Sequence, residues 1–476
     1  MSTLTNTDGQ RGVARPLGRR NLLMWSAATL ALAGCADVNY LAPTADVAGK
    51  FDAAAPGRDT SPEARMWWRA FRDPQLDQLI AAGNARNLTL QQAIAAIDEA
   101  QASVASVNGN DLPQVQASAG AQRALSSDAA ASGGAITTST YITPSFSWLL
   151  DIFGANRNAR KAAAAQLDAA YLSADVARLT IESSIATAYI NLRYFQESIA
   201  LTNRSIASRK RSLELTQTQF NLGSASKLDV LQADQLVAEG EATLPAYETG
   251  FDQSLAQLAM LTAQRSADLR ARLTRSAPQP TARFKPSVGV PADVVRDRPD
   301  VRMAERDYAA AAYGVGVAKA AFYPSVSLSG SITPLHVSSP GKSSISYWAI
   351  GPAINLPIFT GGQNMANLKA SESRAVQARL GWEQSVLKAI EEVESGLAAY
   401  NRDGRNIAAQ QRLVNTSKET TDLSRSSYEI GEGTFINVLD SERAYLTAQQ
   451  SLATAVRQQA TDYVTLSVAA AGGTAR

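Results

Sequence analysis

The chain has 476 residues with 45 Lys+Arg against 43 Asp+Glu, and a formal charge of +2 argues against a nucleic-acid binder, which concentrates positive charge. It holds one Cys and one His, so a zinc site or a Cys/His or Ser/His/Asp centre would have to use Cys35 or His336 without a second ligand of either type; neither an enzyme nor a cofactor is expected. At 18% charged and 45% hydrophobic residues the chain is too polar for a multi-pass helical membrane protein, while 7% aromatics in an Ala-, Ser- and Gln-rich background suits long, closely packed helices.

The N-terminus reads as a targeting segment. Arg11, Arg15, Arg19 and Arg20 precede a short apolar run from Leu22 to Ala33, the charged and apolar regions of a secretory signal. The run ends in Leu32-Ala33-Gly34-Cys35, which resembles a bacterial lipobox. That resemblance implies cleavage after residue 34, acylation of Cys35 and, with Ala36 following the Cys, delivery to the outer membrane.

The rest of the chain repeats itself. Asn87 to Pro113 aligns with Arg298 to Pro324 without a gap, and further along Gly223 aligns with Gly431 and Val230-Leu231 with Val438-Leu439 at an offset of about 208 residues. This is far longer than a solenoid period, so the chain reads as two copies of one large unit. The predicted organisation is a signal segment (1–34), an N-terminal segment (35–86), copy one (87–262), a linker region (263–297) rich in Pro and Ser near Pro278 to Pro291, copy two (298–470) and a short tail (471–476).

In chain order, each copy opens with a helix, from about Asn87 to Val107 and from Pro299 to Phe322. The second has Pro at its first position and Asp300 beside the positive end of the helix dipole. Strict alternation then predicts two strands per copy. Val115, Ala117, Ala119 and Ala121 oppose Gln114, Gln116, Ser118 and Gln122; from Tyr141, Ile142, Phe146, Trp148 and Leu150 oppose Thr143, Ser145 and Ser147. In copy two Val326, Leu328, Gly330 and Ile332 oppose a row of Ser and Thr, and Trp348, Ile350, Ile354, Leu356 and Ile358 form the fourth apolar row. After Phe153 and Phe359 come proline-free stretches, Asn156 to Asn221 and Asn364 to Ile430, each about 100 Å as one helix. Trp382, Val386, Ala389, Val393, Leu397 and Tyr400 mark a narrow seam on the second. Both stretches stop at a glycine, Gly223 or Gly431, and restart within a few residues as helices to about Thr262 and Val468, making two helical hairpins.

Strands with one apolar and one small polar face suit a transmembrane barrel, with lipid outside and water inside. Four strands cannot close one, because the smallest barrels have eight, so several chains must contribute to one wall. The helices of those chains would continue that wall as a conduit.

These residues resemble the TolC/OprM-like outer-membrane efflux proteins, most closely the NodT-type lipoproteins of RND efflux systems. The resemblance runs from Trp67-Trp68 to Val468. It rests on Arg298-Pro299-Asp300-Val301, Ala304-Glu305, Phe322-Tyr323-Pro324-Ser325-Val326, and Tyr428-x-x-Gly431 followed by Val438-Leu439-Asp440. It implies a mainly helical fold with a small β part: a homotrimer with a twelve-stranded barrel in the outer membrane, a long periplasmic α-barrel, and docking to a periplasmic adaptor and an inner-membrane RND-type pump.

In that family polar residues just beyond the hairpin tips narrow the periplasmic aperture. Asp229 and Asp440 fall on matching positions, Tyr428 matches an aromatic beside the gate, Asn437 stands where some members have a second acid, and Gly433 where some have Arg. The segments Gly223-Ser224-Ala225-Ser226 and Gly431-Glu432-Gly433-Thr434 resemble adaptor-docking tips. Turn chemistry accounts for the glycines, and a solvated helix start beside a tip accounts equally for the two acids.

Other features read as structural. Gly314-Val315-Gly316 fits close helix packing, His336 a loop between two strands, Arg298 and Asp300 a helix start, Trp67-Trp68 the packing of the N-terminal segment, and Glu391, Glu392 and Glu394 a solvated face. The expected function is passive transport, an exit duct for drugs or other small toxic compounds. The alternatives are a pore-less coiled-coil tether, which has no need of amphipathic strands, and the duct of a protein secretion system.

Overall fold

The computed structural model describes residues 38–45, 47–51, 62–126, 135–282, 291–338 and 343–470. The expected signal segment with Cys35, and the tail 471–476, lie outside them. In chain order the described elements are a kinked 3₁₀ segment (Pro62–Phe71), α1 (Pro74–Arg86), α2 (Leu88–Gly109), β1 (Gln114–Ser126), β2 (Ala135–Leu150), α3 (Ala155–Asn221) and α4 (Lys227–Thr262). Then follow α5 (Ser266–Leu273), α6 (Pro291–Asp297), α7 (Pro299–Ala320), β3 (Ser325–Ser338), β4 (Ser343–Asn355), α8 (Gln363–Glu429) and α9 (Phe435–Ala470). Corresponding helices of the two copies have equal lengths: 22 residues for α2 and α7, 67 for α3 and α8, and 36 for α4 and α9.

The chain divides into two compact units. Among the described residues, one is drawn from 38–41, 102–164 and 309–376 and contains the sheet, an antiparallel ribbon in the order β1-β2-β3-β4. Its register puts Val115 beside Phe146, Phe146 beside Gly330 and Gly330 beside Ile350. The next pairs on this face are Trp148 with Leu328 and Ile332 with Trp348. Because side chains alternate along a strand, these residues share one face, and that face is uncovered: Val115 is 77% exposed, Trp348 74% and Ile354 71%. The opposite face carries Gln116, Ser145 and Ser331 in one row and Ser118, Thr143 and Thr333 in the next, with Thr143 Oγ1 3.0 Å from Thr333 Oγ1. Gly120 lies beneath Tyr141, whose ring occupies the place a Cβ would take.

Three details differ from expectation. β2 begins at Ala135 rather than Tyr141, and β4 ends at Asn355, leaving Leu356 and Ile358 beyond the strand. His336 is not in a loop: it lies in β3 between Thr140 and Ser344, with Nδ1 2.9 Å from Ser344 Oγ. Pro334, which has no N–H to give to a ladder, is accommodated inside the strand at a gap in the β2–β3 pairing between Leu335 and Ser331.

At the base of this unit Trp148 Nε1 donates to Asp111 O at 2.8 Å, Arg160 pairs with Asp111 at 2.6 Å, and Phe153 stacks on Tyr323. Of the two glycines expected to serve close packing, Gly316 does, since a Cβ there would meet the Asn158 amide at 2.6 Å, whereas Gly314 has open space beside it.

The second unit, drawn among the described residues from 42–101, 165–308 and 377–470, is helical. Its largest core gathers Trp67, Leu76, Leu79, Ile80, Ile185, Tyr189, Leu192, Leu255, Leu258, Leu269, Tyr463 and Val464, which ties the N-terminal segment to α3, α4 and α9. Capping fixes where helices start. Asp73 accepts from Gln75 N, and Asn87 Oδ1 accepts from Thr89 N at 2.9 Å while its amide donates to Leu261 O.

A second, smaller core of Val295, Val301, Trp382, Val386 and Ala389 sits under the start of α7. There the buried Arg298 makes a fork to Asp300 at 2.9 and 2.7 Å, donates to Ala469 O at 3.0 Å and reaches Glu392 at 2.7 Å. Burial works against the Asp300 charge, yet the Arg298 fork outweighs it and holds this carboxyl below the usual range. Glu392 is therefore no part of a solvated face: it is a half-buried partner of Arg298.

Candidate gate at the hairpin tips

The two tips share one backbone solution. In each, a glycine at φ +79° ends the long helix in the left-handed region, where a Cβ is unfavourable. At the first tip Gly223 N donates to Phe220 O and Ser224 N to Gln219 O, both at 2.9 Å; at the second Gly431 N donates to Tyr428 O at 3.1 Å and Glu432 N to Ser427 O at 2.9 Å. This paired bonding is a Schellman turn, and it satisfies carbonyls a helix end leaves open. Gly223, Ser224, Gly431, Glu432 and Thr434 are exposed, and Ala225 and Gly433 are partly covered.

The restart differs between the tips. Ser226 and Asp229 form a capping box: Ser226 N donates to Asp229 Oδ2 at 2.8 Å and Asp229 N to Ser226 Oγ at 3.2 Å. At the second tip Thr434 O accepts from Asn437 N at 3.1 Å, so Asn437, the repeat counterpart of Asp229, sits on plain backbone turn chemistry. Asp440 lies one turn further, exposed, 3.5 Å from Arg443.

Of the four gate candidates, Tyr428 bonds across the two hairpins. Tyr428 of α8 donates its hydroxyl to Gln219 of α3 and lies against Phe435, ring centroids 5.1 Å apart. Burial pushes its phenol up and the Asp229 charge adds to this, against a bond to Thr216. Asn437 and Asp440 are exposed and take no part in this contact.

Tyr428 also covers a small apolar cluster in which all four hairpin helices meet: Leu213 from α3, Ala233 and Leu236 from α4, and Phe435, Val438 and Leu439 from α9. Above it lies a buried polar layer. Arg425 of α8 pairs with the buried Glu442 of α9 at 2.6 Å and donates to Ser208 of α3 at 3.0 Å, while Ser212 Oγ donates to Glu442 at 3.1 Å. Arg209 of α3 is 4% exposed and donates to Leu236 O at 2.7 Å. Burial lowers its pKa from the ordinary value against the opposing pull of Glu442 and Glu239.

Sequence reasoning missed Arg209, Gln219, Arg425 and Glu442. The signal was present in the helical period, since Glu442 follows Val438 by four residues and Leu439 by three, on the same face.

No helix among the described residues is long and apolar enough to cross a membrane, and no group of three or more His, Cys, Asp or Glu among them could hold a metal.

Residues 79–264 and 290–472 each match the sequence profile of a family described as "Outer membrane efflux protein". The chain belongs to that family. Nodulation protein T of Rhizobium leguminosarum bv. viciae is 36% identical over 439 residues, covering 91% of this chain and 90% of the relative. The toluene efflux pump outer membrane protein TtgF of Pseudomonas putida is 32% identical over 464 residues, covering 94% and 96%. Among solved structures the outer-membrane channel OprN aligns with a TM-score of 0.84 at 28% identity, over 92% of this chain and 98% of the channel. The fold is thus the mainly helical, TolC/OprM-like outer-membrane channel fold with a small β part. The protein is an outer-membrane efflux protein and not an enzyme.

Proposed function

We propose that this protein is the passive exit duct of a tripartite efflux system, closed as a homotrimer whose twelve strands form one barrel in the outer membrane. The observation that carries this reading is the sheet. Its strands of 13 to 16 residues exceed the span of a bilayer, one face is apolar and uncovered, and β1 and β4 each lack a second neighbour among the described residues. Unpaired edges beside an exposed apolar face are costly in water; three copies joined edge to edge pair the edges, and lipid around the closed barrel covers the apolar face. A pore-less tether has no use for such a sheet.

In this reading residues 87–262 and 298–470 are the two copies, supported by their matched helix lengths and by the two separate family matches. Cys35 carries the lipid anchor, and the tips Gly223 to Ser226 and Gly431 to Thr434 meet a periplasmic adaptor coupled to an inner-membrane RND-type pump. Tyr428 and Asp229, with Asp440 and Asn437 beside them, line the periplasmic aperture. Small toxic compounds are the cargo class, as the name of the toluene-pump relative supports.

The test is planar-bilayer conductance of the detergent-extracted protein, with its mass measured on the same preparation. Trimers with discrete openings are expected, and Asp229→Ala with Asp440→Ala should raise conductance and weaken cation preference. A monodisperse monomer that gives no current and stays soluble once the anchor is removed would sink the duct.

A further inference from the structure

The apolar face of the sheet changes character along its length. On β2 that face runs Leu150, Trp148, Phe146, Pro144 and Ile142 from the helical end, then Thr140 and Thr138, with Ile136 beside Leu125 near the hairpin end. Five apolar levels, two residues apart, occupy about 33 Å of strand, or about 25 Å of height at the ~40° tilt of membrane barrels. That is the height of the apolar band such a barrel presents to a bilayer. The change to Thr140 therefore falls where hydrocarbon gives way to headgroups.

The change runs across the sheet. Thr140 of β2 pairs with His336 of β3, which pairs with Ser344 of β4, and one level further Arg123 of β1 pairs with Thr138. Arg123, Thr140, His336 and Ser344 are exposed. His336 Nδ1 lies 2.9 Å from Ser344 Oγ, and with that hydroxyl as donor Nε2–H is left as a donor of its own. Arg123 and His336 stand two strand spacings apart, about 10 Å, on either side of Thr138 and Thr140.

Composition makes this placement specific. The four strands contain no Asp, Glu or Lys, and Arg123 and His336 are their one Arg and one His. Water-facing positions were open to both, since Gln122 at the neighbouring position points to the polar face. Instead both basic side chains share the face of Trp148 and Trp348, at its polar boundary. A cation on the lipid face of a barrel is costly at the bilayer midplane and close to neutral at the boundary, where anionic headgroups attract it.

We infer that Arg123, Thr138, Thr140 and His336 dock the phosphate of a lipid headgroup, which rests over β2 while its acyl chains lie along the apolar levels. Arg123 supplies the charge and a planar fork suited to phosphate oxygens, and the threonine hydroxyls and the imidazole supply further donors. A lipid fits better than a free ion because the strip is continuous with the apolar face, so one molecule covers both. A second copy of the chain would meet the edges β1 and β4, not a strip that crosses all the strands. The inference rests on the reading of this sheet as a membrane wall.

The full-length protein would be placed in phosphatidylcholine nanodiscs doped with phosphatidic acid or with diacylglycerol of the same chains, and the lipids it keeps in mild detergent counted by native mass spectrometry. Phosphatidic acid should be kept in preference to diacylglycerol. Arg123→Gln should lower that retention about fivefold, as expected for one cation at an anionic membrane surface, and adding His336→Ala should lower it further. Arg123→Lys keeps the charge and should hold most of it, whereas Gln122→Arg added to Arg123→Gln moves the cation to the other face and should not restore it. All these positions are exposed, so the fold should tolerate each change. Equal retention of the two lipids, an unchanged Arg123→Gln or recovery with Gln122→Arg would overturn the strip, and so would displacement of the lipid by inorganic phosphate, which would assign the residues to a free ion. On the same nanodiscs acyl-brominated lipid should quench Trp348, read as the difference from Trp348→Phe. Quenching with equal lipid retention removes the strip and keeps the membrane wall; no quenching removes both.

Discussion

The two hairpins of this chain have the same helix lengths and the same glycine turn, yet they use their tips differently. The first closes on itself: Ser226 and Asp229 satisfy each other across the start of α4. The second reaches outward, because Tyr428, Arg425 and Glu442 all find partners on α3 of the first hairpin. Backbone geometry at a tip is thus set by a left-handed glycine and a cap, which any such hairpin needs, whereas the side chains around the turn decide whether a hairpin is self-contained or fastened to its neighbour. Any motion that parts the two hairpins must break these bonds.

The largest effect should come from the buried polar layer. Arg425→Ala removes the cation bonded to the buried Glu442 carboxylate and leaves it Ser212 and the charge of Arg209, a loss at or below the about 3–5 kcal/mol of broken fully buried pairs, since Arg425 is partly exposed. Glu442→Ala should cost less, since Arg425 is partly exposed and can turn to water. Denaturant unfolding would read both. If the layer also holds the hairpins closed, each variant raises single-channel conductance; equal and small losses for the two would mean that the layer is fully hydrated and fastens nothing.

The glycine turns test the shared half of the comparison. Gly223→Ala and Gly431→Ala each force a Cβ into the left-handed region and should each cost about 1–2 kcal/mol, with similar values at the two tips. Clearly unequal losses would show that the turns are not equivalent despite matching φ. Asp229→Ala should remove about 1 kcal/mol through the lost capping box, while Asn437→Ala, at the corresponding place, should do almost nothing. Hydrogen exchange at the first turns of α4 and α9 separates these outcomes.

How much of this was legible follows from where each signal is stored. The strands are written in local alternation, so Val115, Phe146, Leu328 and Ile350 fall on one face before any register is known. The hairpins are written in glycine placement and in the repeat. Charge pairing is not local: Glu392 looked solvated beside Glu391 and Glu394, and only the fold delivers Arg298 to it. Glu442 and Arg425 stand 17 positions apart with a turn between them, so helical period marks each as inward-facing but cannot name the partner. The gate candidates show the same limit. Family resemblance selected Tyr428 and Asp229 together with Asn437 and Asp440, and the fold joins Tyr428 to Gln219 of the other hairpin, ties Asp229 into its own cap and leaves the other two exposed.

The smallest effect sharpens the comparison most. Tyr428→Phe keeps the ring against Phe435 and the cluster of Leu213, Leu236 and Val438, and removes only the hydroxyl, which reaches Gln219 and also bonds Thr216. The stability loss should be about 0.5–1.5 kcal/mol, the net worth of one hydrogen bond. Its partner change, Gln219→Ala, breaks the same link from the first hairpin, so the double variant should lose less than the sum of the two singles. A coupling energy near zero would place Tyr428 with its own hairpin and leave Arg425 and Glu442 as the fastening between the two. A coupling of about 0.5 kcal/mol or more, together with easier opening of each single variant, would make this hydroxyl the outermost latch, nearest the turn and the first bond to give way when the second hairpin moves.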